Sequence, residues 1–218
     1  DRDCATRTGE ADRQYKLKQH GFARDLPWQV SATNTDNCAK IDLTLTSNAQ
    51  TLSIYPFEFE LEFSYQLQGN SLKIHQTFTN NSDRSMPFST GLHPYFWVKD
   101  KVPLEFQIPA TAYQNQISKE VESFSGKFDF DREELDLAFG DLKGHSTSIT
   151  DKQRRFKIQL NYSDLYSTLV FWTIKGKEYV CLEPWSAPRN SLNTGEKLTY
   201  LEPKTSCHAL VEMVVSYL

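Results

Sequence analysis

From residue 57 to residue 68 apolar and polar side chains alternate without a break. Phe57, Phe59, Leu61, Phe63, Tyr65 and Leu67 fall on one parity, and Glu58, Glu60, Glu62, Ser64, Gln66 and Gln68 on the other. A period of two belongs to a β-strand with one face in a core and one in water. A helix would scatter the same side chains around its whole circumference. Gly69-Asn70 follows, and Leu72, Ile74, Gln76 and Phe78 resume the alternation. A Gly-Asn pair tolerates the positive φ angles of a tight turn whose twist matches its strands, so the segment predicts a β-hairpin.

Further strands are predicted over 40–46, 104–108, 156–162, 167–174, 178–183 and 208–217, with Gly176 turning the chain between two of them. One short helix is predicted, around 131–139. No long segment carries a 3.6-residue period, and no internal repeat or linker interrupts the 218 residues. The expectation is a single all-β domain, a large antiparallel β-sandwich rather than a barrel. Residues 1–14 are polar, aperiodic and begin without Met, and are read as an irregular or incomplete amino-terminal segment.

Charge and motif content narrow the function. The net charge is −4 with both signs interspersed, and the absence of a basic stripe argues against nucleic acid or an anionic membrane surface as partner. No apolar run approaches the length of a membrane span. Four cysteines, Cys4, Cys38, Cys181 and Cys207, are widely spaced without a CxxC pair, which disfavours a thiolate zinc site or a disulfide framework and points to a reducing cytoplasm. The glycosylation-type triplets at Asn80 and Asn161 have no secretory context. No GxGxxG, Walker-type loop, HExxH or GxSxG occurs, so neither a cofactor nor a metal is expected. Aromatic residues make up 13% of the chain, enough flat surface for both a β core and stacking on sugar rings.

Among five histidines, His75 alternates onto the polar side of a strand, while His145 and His208 lack partner motifs. His20 and His93 differ. They sit in Gln19-His20-Gly21-Phe22-Ala23-Arg24 and Gly91-Leu92-His93-Pro94-Tyr95-Phe96, where Gly permits close backbone approach and Pro stiffens the chain beside the imidazole. Spacing alone leaves each either structural or functional. In Cys181-Leu182-Glu183-Pro184-Trp185-Ser186-Ala187-Pro188-Arg189-Asn190, period two aligns Tyr179, Cys181, Glu183 and Trp185. A carboxylate on the apolar end of a strand is costly unless paired or used. It is either a salt bridge to a residue such as Arg189, or a general base beside a sugar-stacking Trp.

The segments HGFAR, GLHPYF and CLEPWSAPRN, in this order, together with Glu134-Leu135-Asp136-Leu137-Ala138-Phe139 and Asn193-Thr194-Gly195-Glu196, resemble the aldose 1-epimerases, including the hexose-6-phosphate epimerase branch. The resemblance runs from about residue 14 to the end. It implies a large antiparallel β-sandwich of galactose mutarotase type, with sugar bound across one concave face. It also implies that His93 is the general acid for the ring oxygen and Glu183 the base for the anomeric hydroxyl. By the same resemblance His20 and Asp136 hold the sugar and Arg24 matches the branch in which arginines hold a phosphate, while Trp185, from its place beside Glu183, is expected as the sugar-stacking wall. The family carries further strands ahead of HGFAR, so the resemblance also implies an open sheet edge if they are absent.

Anomer exchange opens a pyranose to its aldehyde, rotates one C–C bond and recloses. It needs one acid and one base but no redox step, which suits a chain without cofactor motifs. The expected partner is a small sugar or sugar phosphate, with the protein a monomer or weak homodimer. The rival readings are a non-catalytic carbohydrate-binding sandwich and a glycosidase, the latter needing two spaced carboxylates. On the epimerase reading, His93 and Glu183 should face each other across a gap wide enough for the anomeric centre.

Overall fold

A computed structural model describes the backbone of residues 3–7 and 14–218 and the side chains from Tyr15 onward. In chain order the elements are β1 (Asp3–Arg7), β2 (Gln14–Lys18), β3 (Gln29–Asn34), β4 (Ala39–Thr46), α1 (Ala49–Ile54), β5 (Phe59–Gln68), β6 (Ser71–Asn80), β7 (Met86–Phe88), β8 (Tyr95–Trp97), β9 (Leu104–Gln107), β10 (Ala112–Asn115), β11 (Val121–Ser123), β12 (Glu134–Phe139), β13 (Ser146–Asp151), β14 (Phe156–Tyr162), β15 (Thr168–Ile174), β16 (Tyr179–Trp185), α2 (Ser191–Thr194), β17 (Thr199–Leu201) and β18 (Ser206–Tyr217). The fold is all-β and antiparallel, as the alternation predicts. Of residues 1–14, β1 pairs with β2, while 1–2 and 8–13 lie outside the described residues.

The chain divides into two compact units, Asp1–Ser89 with Arg189–Leu210, and Thr90–Pro188 with Val211–Leu218. In the first unit β3, β4, β5 and β6 lie side by side in that order, with the opening of β18 beside β6. The β5–β6 hairpin turns at Gly69-Asn70, with Gly69 at φ +58°. Phe57, Phe59, Ile74, Phe78, Met86 and Phe88 are buried in this unit, and Phe78 stacks on Phe88 at 5.0 Å between centroids. Asn48 caps α1 by accepting from the Gln50 and Thr51 amides, which satisfies donors the first helical turn leaves open.

In the second unit two sheets pack face to face. One runs from the end of β18 through β14 and β13 to β9, and the other has the order β11-β10-β12-β15-β16-β8. Between them Phe106 meets Phe171 edge-on at 5.2 Å, and Phe128 stacks on Phe171 at 3.8 Å. Leu137, Phe171 and Leu182 are aligned across β12, β15 and β16 and are at most 1% exposed. At about 25 cal/mol per Å² of apolar surface removed from water, this aromatic layer supplies much of the unit's stability.

The predicted helix around 131–139 is not there. Glu134–Phe139 is a strand, hydrogen-bonded to β10 on one side and β15 on the other. Glu, Leu and Ala favour helix locally, but Leu135, Leu137 and Phe139 fall on one parity and all are buried. Two flanking strands and an apolar layer outweigh the few tenths of a kcal/mol per residue that propensity offers.

Candidate active site

The register of the six-stranded sheet assembles the candidate site. Asp136 aligns with Trp172, Trp172 with Cys181, and Cys181 with Tyr95. One row away Ala138 aligns with Val170 and Val170 with Glu183. Residues directly opposite across antiparallel strands share a face, so Asp136, Trp172, Cys181, Tyr95 and Glu183 all stand on the face opposite Phe171 and Leu182. Asp136 and Glu183 are two strands apart on that face, a lateral spacing of roughly 10 Å.

His93 is brought there by the extended segment before β8. Ser186 N donates to Thr90 O at 2.8 Å, Leu92 N donates to Pro184 O at 3.1 Å, and Thr90 N donates to Ser186 Oγ at 2.8 Å. These bonds zip residues 90–92 along the end of β16 and deliver the imidazole beside the Glu183 carboxylate. His93 Nε2 lies 3.3 Å from Glu183 Oε1, with the His93 side chain 29% exposed and that of Glu183 2%. The other carboxylate oxygen, Oε2, accepts from Trp185 Nε1 at 3.1 Å. Removing a carboxylate from water costs several kcal/mol unless charge and hydrogen bonds replace the solvent. The indole N–H supplies a hydrogen bond, and the imidazole supplies a charge when it is protonated.

Gly91 makes that arrangement possible. A Cβ at position 91 would lie 2.7 Å from Trp185 Cδ1, closer than carbon atoms approach. The glycine therefore lets the indole lie flat against the backbone and aim its N–H at Glu183. Tyr95 stacks on His93 at 4.9 Å with an 8° interplanar angle, and Trp172 meets the imidazole edge-on at 5.6 Å. Trp172 is itself held by its Nε1 donating to Glu134 Oε1 at 2.8 Å and by stacking on Tyr179 at 5.4 Å. Cys181 is fully buried. That burial, reinforced by the negative charge of Glu183, pushes its thiol pKa well above the usual range.

Four of the six sequence-predicted site residues, His93, Glu183, Asp136 and Trp185, lie in the second unit and on or beside this one sheet face. His20 and Arg24 belong to the first unit. His20 and Gly21 have φ angles of +64° and +68°, and Gly21 N closes the turn on Lys18 O at 2.9 Å. Arg24 follows in a single 3₁₀ turn, its Nε 3.8 Å from Asp25 Oδ1. Trp185, which reads from sequence as a wall for the sugar, donates its indole N–H to Glu183. One expectation changes. His93 and Glu183 are not separated by a sugar-sized gap, because they touch. Trp172 and Gly91 escaped notice as site residues: Trp172 gains its place only from the β12–β15–β16 register, and Gly91 only from the position of the indole.

The other histidines lie elsewhere. His75 is exposed, His145 Nε2 is 3.4 Å from Asp164 Oδ1, and His208 Nδ1 is 3.1 Å from Thr77 Oγ1. Among the described residues no helix is long and apolar enough to cross a membrane.

A family profile described as Aldose 1-epimerase matches residues 6–207. The chain belongs to the aldose 1-epimerase family. It is 45% identical to the Slr1438 protein of Synechocystis sp. PCC 6803, superposing with a TM-score of 0.94 over 100% of this chain and 76% of that one. A galactose mutarotase-like protein from Clostridium acetobutylicum shares the fold at 20% identity, TM-score 0.81, over 98% of this chain and 75% of its own. A Salmonella typhimurium protein named as a candidate glucose-6-phosphate 1-epimerase is 33% identical over 91 residues, 40% of this chain and 28% of that protein. The fold of this aldose 1-epimerase family member is therefore the galactose mutarotase-like sandwich.

Proposed function

We propose that the chain interconverts the α and β anomers of a hexose or hexose 6-phosphate, with His93 as general acid and Glu183 as general base. The observation that carries this reading is the 3.3 Å contact between His93 Nε2 and the buried Glu183 Oε1. The Glu183 carboxylate takes the proton of the anomeric hydroxyl while the His93 imidazolium delivers one to the ring oxygen. The bond between the anomeric carbon and the ring oxygen breaks, leaving an aldehyde. After rotation about the adjacent C–C bond the ring recloses on the other face: the hydroxyl that attacks the aldehyde carbon returns its proton to His93, and Glu183 gives its proton back to the former carbonyl oxygen. Both sugar oxygens are bonded to one carbon, so an acid and a base standing side by side can reach them together. Each correctly placed proton-transfer group contributes ~10²–10⁴-fold.

Asp136, on the same sheet face, accepts from sugar hydroxyls, and His20 orients the ring. Arg24 is the residue for a phosphate. Its side chain is 60% exposed, with Asp25 Oδ1 3.8 Å from its Nε, and the similarity to a candidate glucose-6-phosphate 1-epimerase favours that substrate class.

Anomer-exchange NMR on glucose, galactose and glucose 6-phosphate tests the reading. His93→Asn and Glu183→Gln should each lower kcat by about 10²-fold or more with a smaller change in KM. Arg24→Ala should weaken use of the phosphorylated sugar far more than the free one, and added salt should mimic part of that loss. A folded Glu183→Gln protein with unchanged exchange rates would end the mechanism. Sugar binding with no exchange by the wild type would make the chain a carbohydrate-binding sandwich instead. Equal losses on both sugars would reduce Arg24 to a turn residue.

A further inference from the structure

Cys181 has no part in the anomer exchange proposed above, yet it stands in the middle of the site face. It precedes Glu183 by two residues on β16, so the pleat points both side chains the same way. A ring nitrogen of His93, the Cys181 sulfur and a Glu183 carboxylate oxygen all lie within 4.8 Å of one another. Imidazole, thiolate and carboxylate are the three ligand types that zinc takes, and three protein ligands with an open fourth position describe a zinc that still meets solvent.

Zinc bonds of ~2.0–2.3 Å set ligand atoms about 3.3–3.8 Å apart. The His93–Glu183 pair is already at 3.3 Å, and bringing the sulfur in takes a side-chain shift of about 1 Å. Two of the ligands are anchored on one strand, and the Trp185 indole N–H on Glu183 Oε2 is an outer-shell bond of the kind that orients a metal-bound carboxylate. The rings of Tyr95, Trp172 and Tyr179 pack together beside His93, and the part-exposed imidazole is the way in.

The geometry points to an inhibitory site for a soft divalent cation, Zn²⁺ above all, bound by His93, Cys181 and Glu183 and shutting off the acid/base pair while it is there. Binding forms bonds from the metal to the imidazole nitrogen, the sulfur and a carboxylate oxygen. It releases the thiol proton, and any second imidazole proton, to solvent. The metal takes no part in the exchange. Mg²⁺ and Ca²⁺, which prefer oxygen ligands, have no use for the thiolate and should not act here. The inhibition rests on the His93/Glu183 reading above, whereas the binding does not.

Co²⁺ is the probe for binding, because a cysteine sulfur on cobalt gives a ligand-to-metal charge-transfer band in the near ultraviolet. Titrating the protein with Co²⁺ should raise that band. Zn²⁺ should abolish it, Cys181→Ala should lack it, and the Cys38→Ala/Cys207→Ala variant should keep it. In anomer-exchange NMR Zn²⁺ should stop the wild type and Mg²⁺ should not. Cys181→Ala should keep its exchange and need far more Zn²⁺ for half-inhibition, beyond the ~10–100-fold that losing an outer-shell partner costs. Should Cys181→Ala fail to fold, Cys181→Ser keeps the size and gives no thiolate band. Absence of a Cys181-dependent cobalt band, or a Cys181→Ala enzyme as sensitive to Zn²⁺ as the wild type, overturns the site. A Cys181-dependent band in a protein that exchanges no anomers upholds the metal site and removes the epimerase reading alone.

Discussion

Three residues in line, Gly91, Trp185 and Glu183, show how a position with no reactive group can control one that has it. The indole occupies the space a Cβ at 91 would need, 2.7 Å from Trp185 Cδ1, and its N–H reaches Glu183 Oε2 at 3.1 Å. Gly91→Ala must push the indole away and loosen the carboxylate. We expect kcat to fall by about 10–10²-fold, the scale of a small misplacement of a reacting group, with KM changed less. Trp185→Phe keeps the ring and deletes only the donor, so it should lower kcat in the same direction while thermal stability stays near the wild type. Steady-state anomer exchange with a melting curve for each variant distinguishes this from simple unfolding. If Gly91→Ala is fully active, Trp185 does not position the base.

At the level of elements, the β10–β11 hairpin is fastened to the start of β12 by one carboxylate. Glu122 accepts from Arg132 Nη1 and Nη2 at 3.0 and 2.9 Å, from Asn115 Nδ2 at 3.2 Å and from the Tyr113 hydroxyl at 3.1 Å. The Arg132 fork, with help from Asn115 and Tyr113, lowers the Glu122 pKa from 4.5 to about 2. A depressed carboxylate stabilises the fold above its unfolded pKa and loses that contribution as pH falls toward its folded one. Glu122→Gln should therefore cost about 1 kcal/mol near neutral pH, far less than the shift at face value because water screens a part-exposed pair. The difference from wild type should shrink as pH drops from 4.5 toward about 2. Denaturant midpoints of both proteins at pH 7 and pH 3 check this, and a gap that is constant or widens on acidification contradicts it.

At the scale of the whole molecule the proposed chemistry asks for two proton-transfer groups on one rigid sheet face and nothing that must be loaded. Anomer exchange should therefore survive EDTA and exhaustive dialysis. Activity lost on chelation and restored by a divalent ion would overturn the cofactor-free reading. The proposed zinc site makes the stronger forecast that chelation can only raise activity, by removing adventitious inhibitor.

How much of this was legible in the sequence follows from the reach of each signal. Alternation of side chains is a property of one strand by itself, so β5, β6, β14, β15 and β18 could be read from their own residues. The family motifs around His93 and Glu183 could be read for the same reason, since each is a short local string. What no local string contains is register, which is set by hydrogen bonds to strands far along the chain. Register made Glu134–Phe139 a strand instead of a helix, since β10 and β15 supply pairing that outweighs propensity. It also set Asp136, Trp172, Cys181 and Tyr95 in one row. Tertiary packing alone made the Trp185 indole a donor to the base and brought His93 to 3.3 Å from Glu183. The sequence by itself determined which side chains this protein has for acid/base work and that strands would carry them. Only the folded sheet decided which of them touch, because contact between residues ninety positions apart is a matter of pairing and packing, not of composition or period.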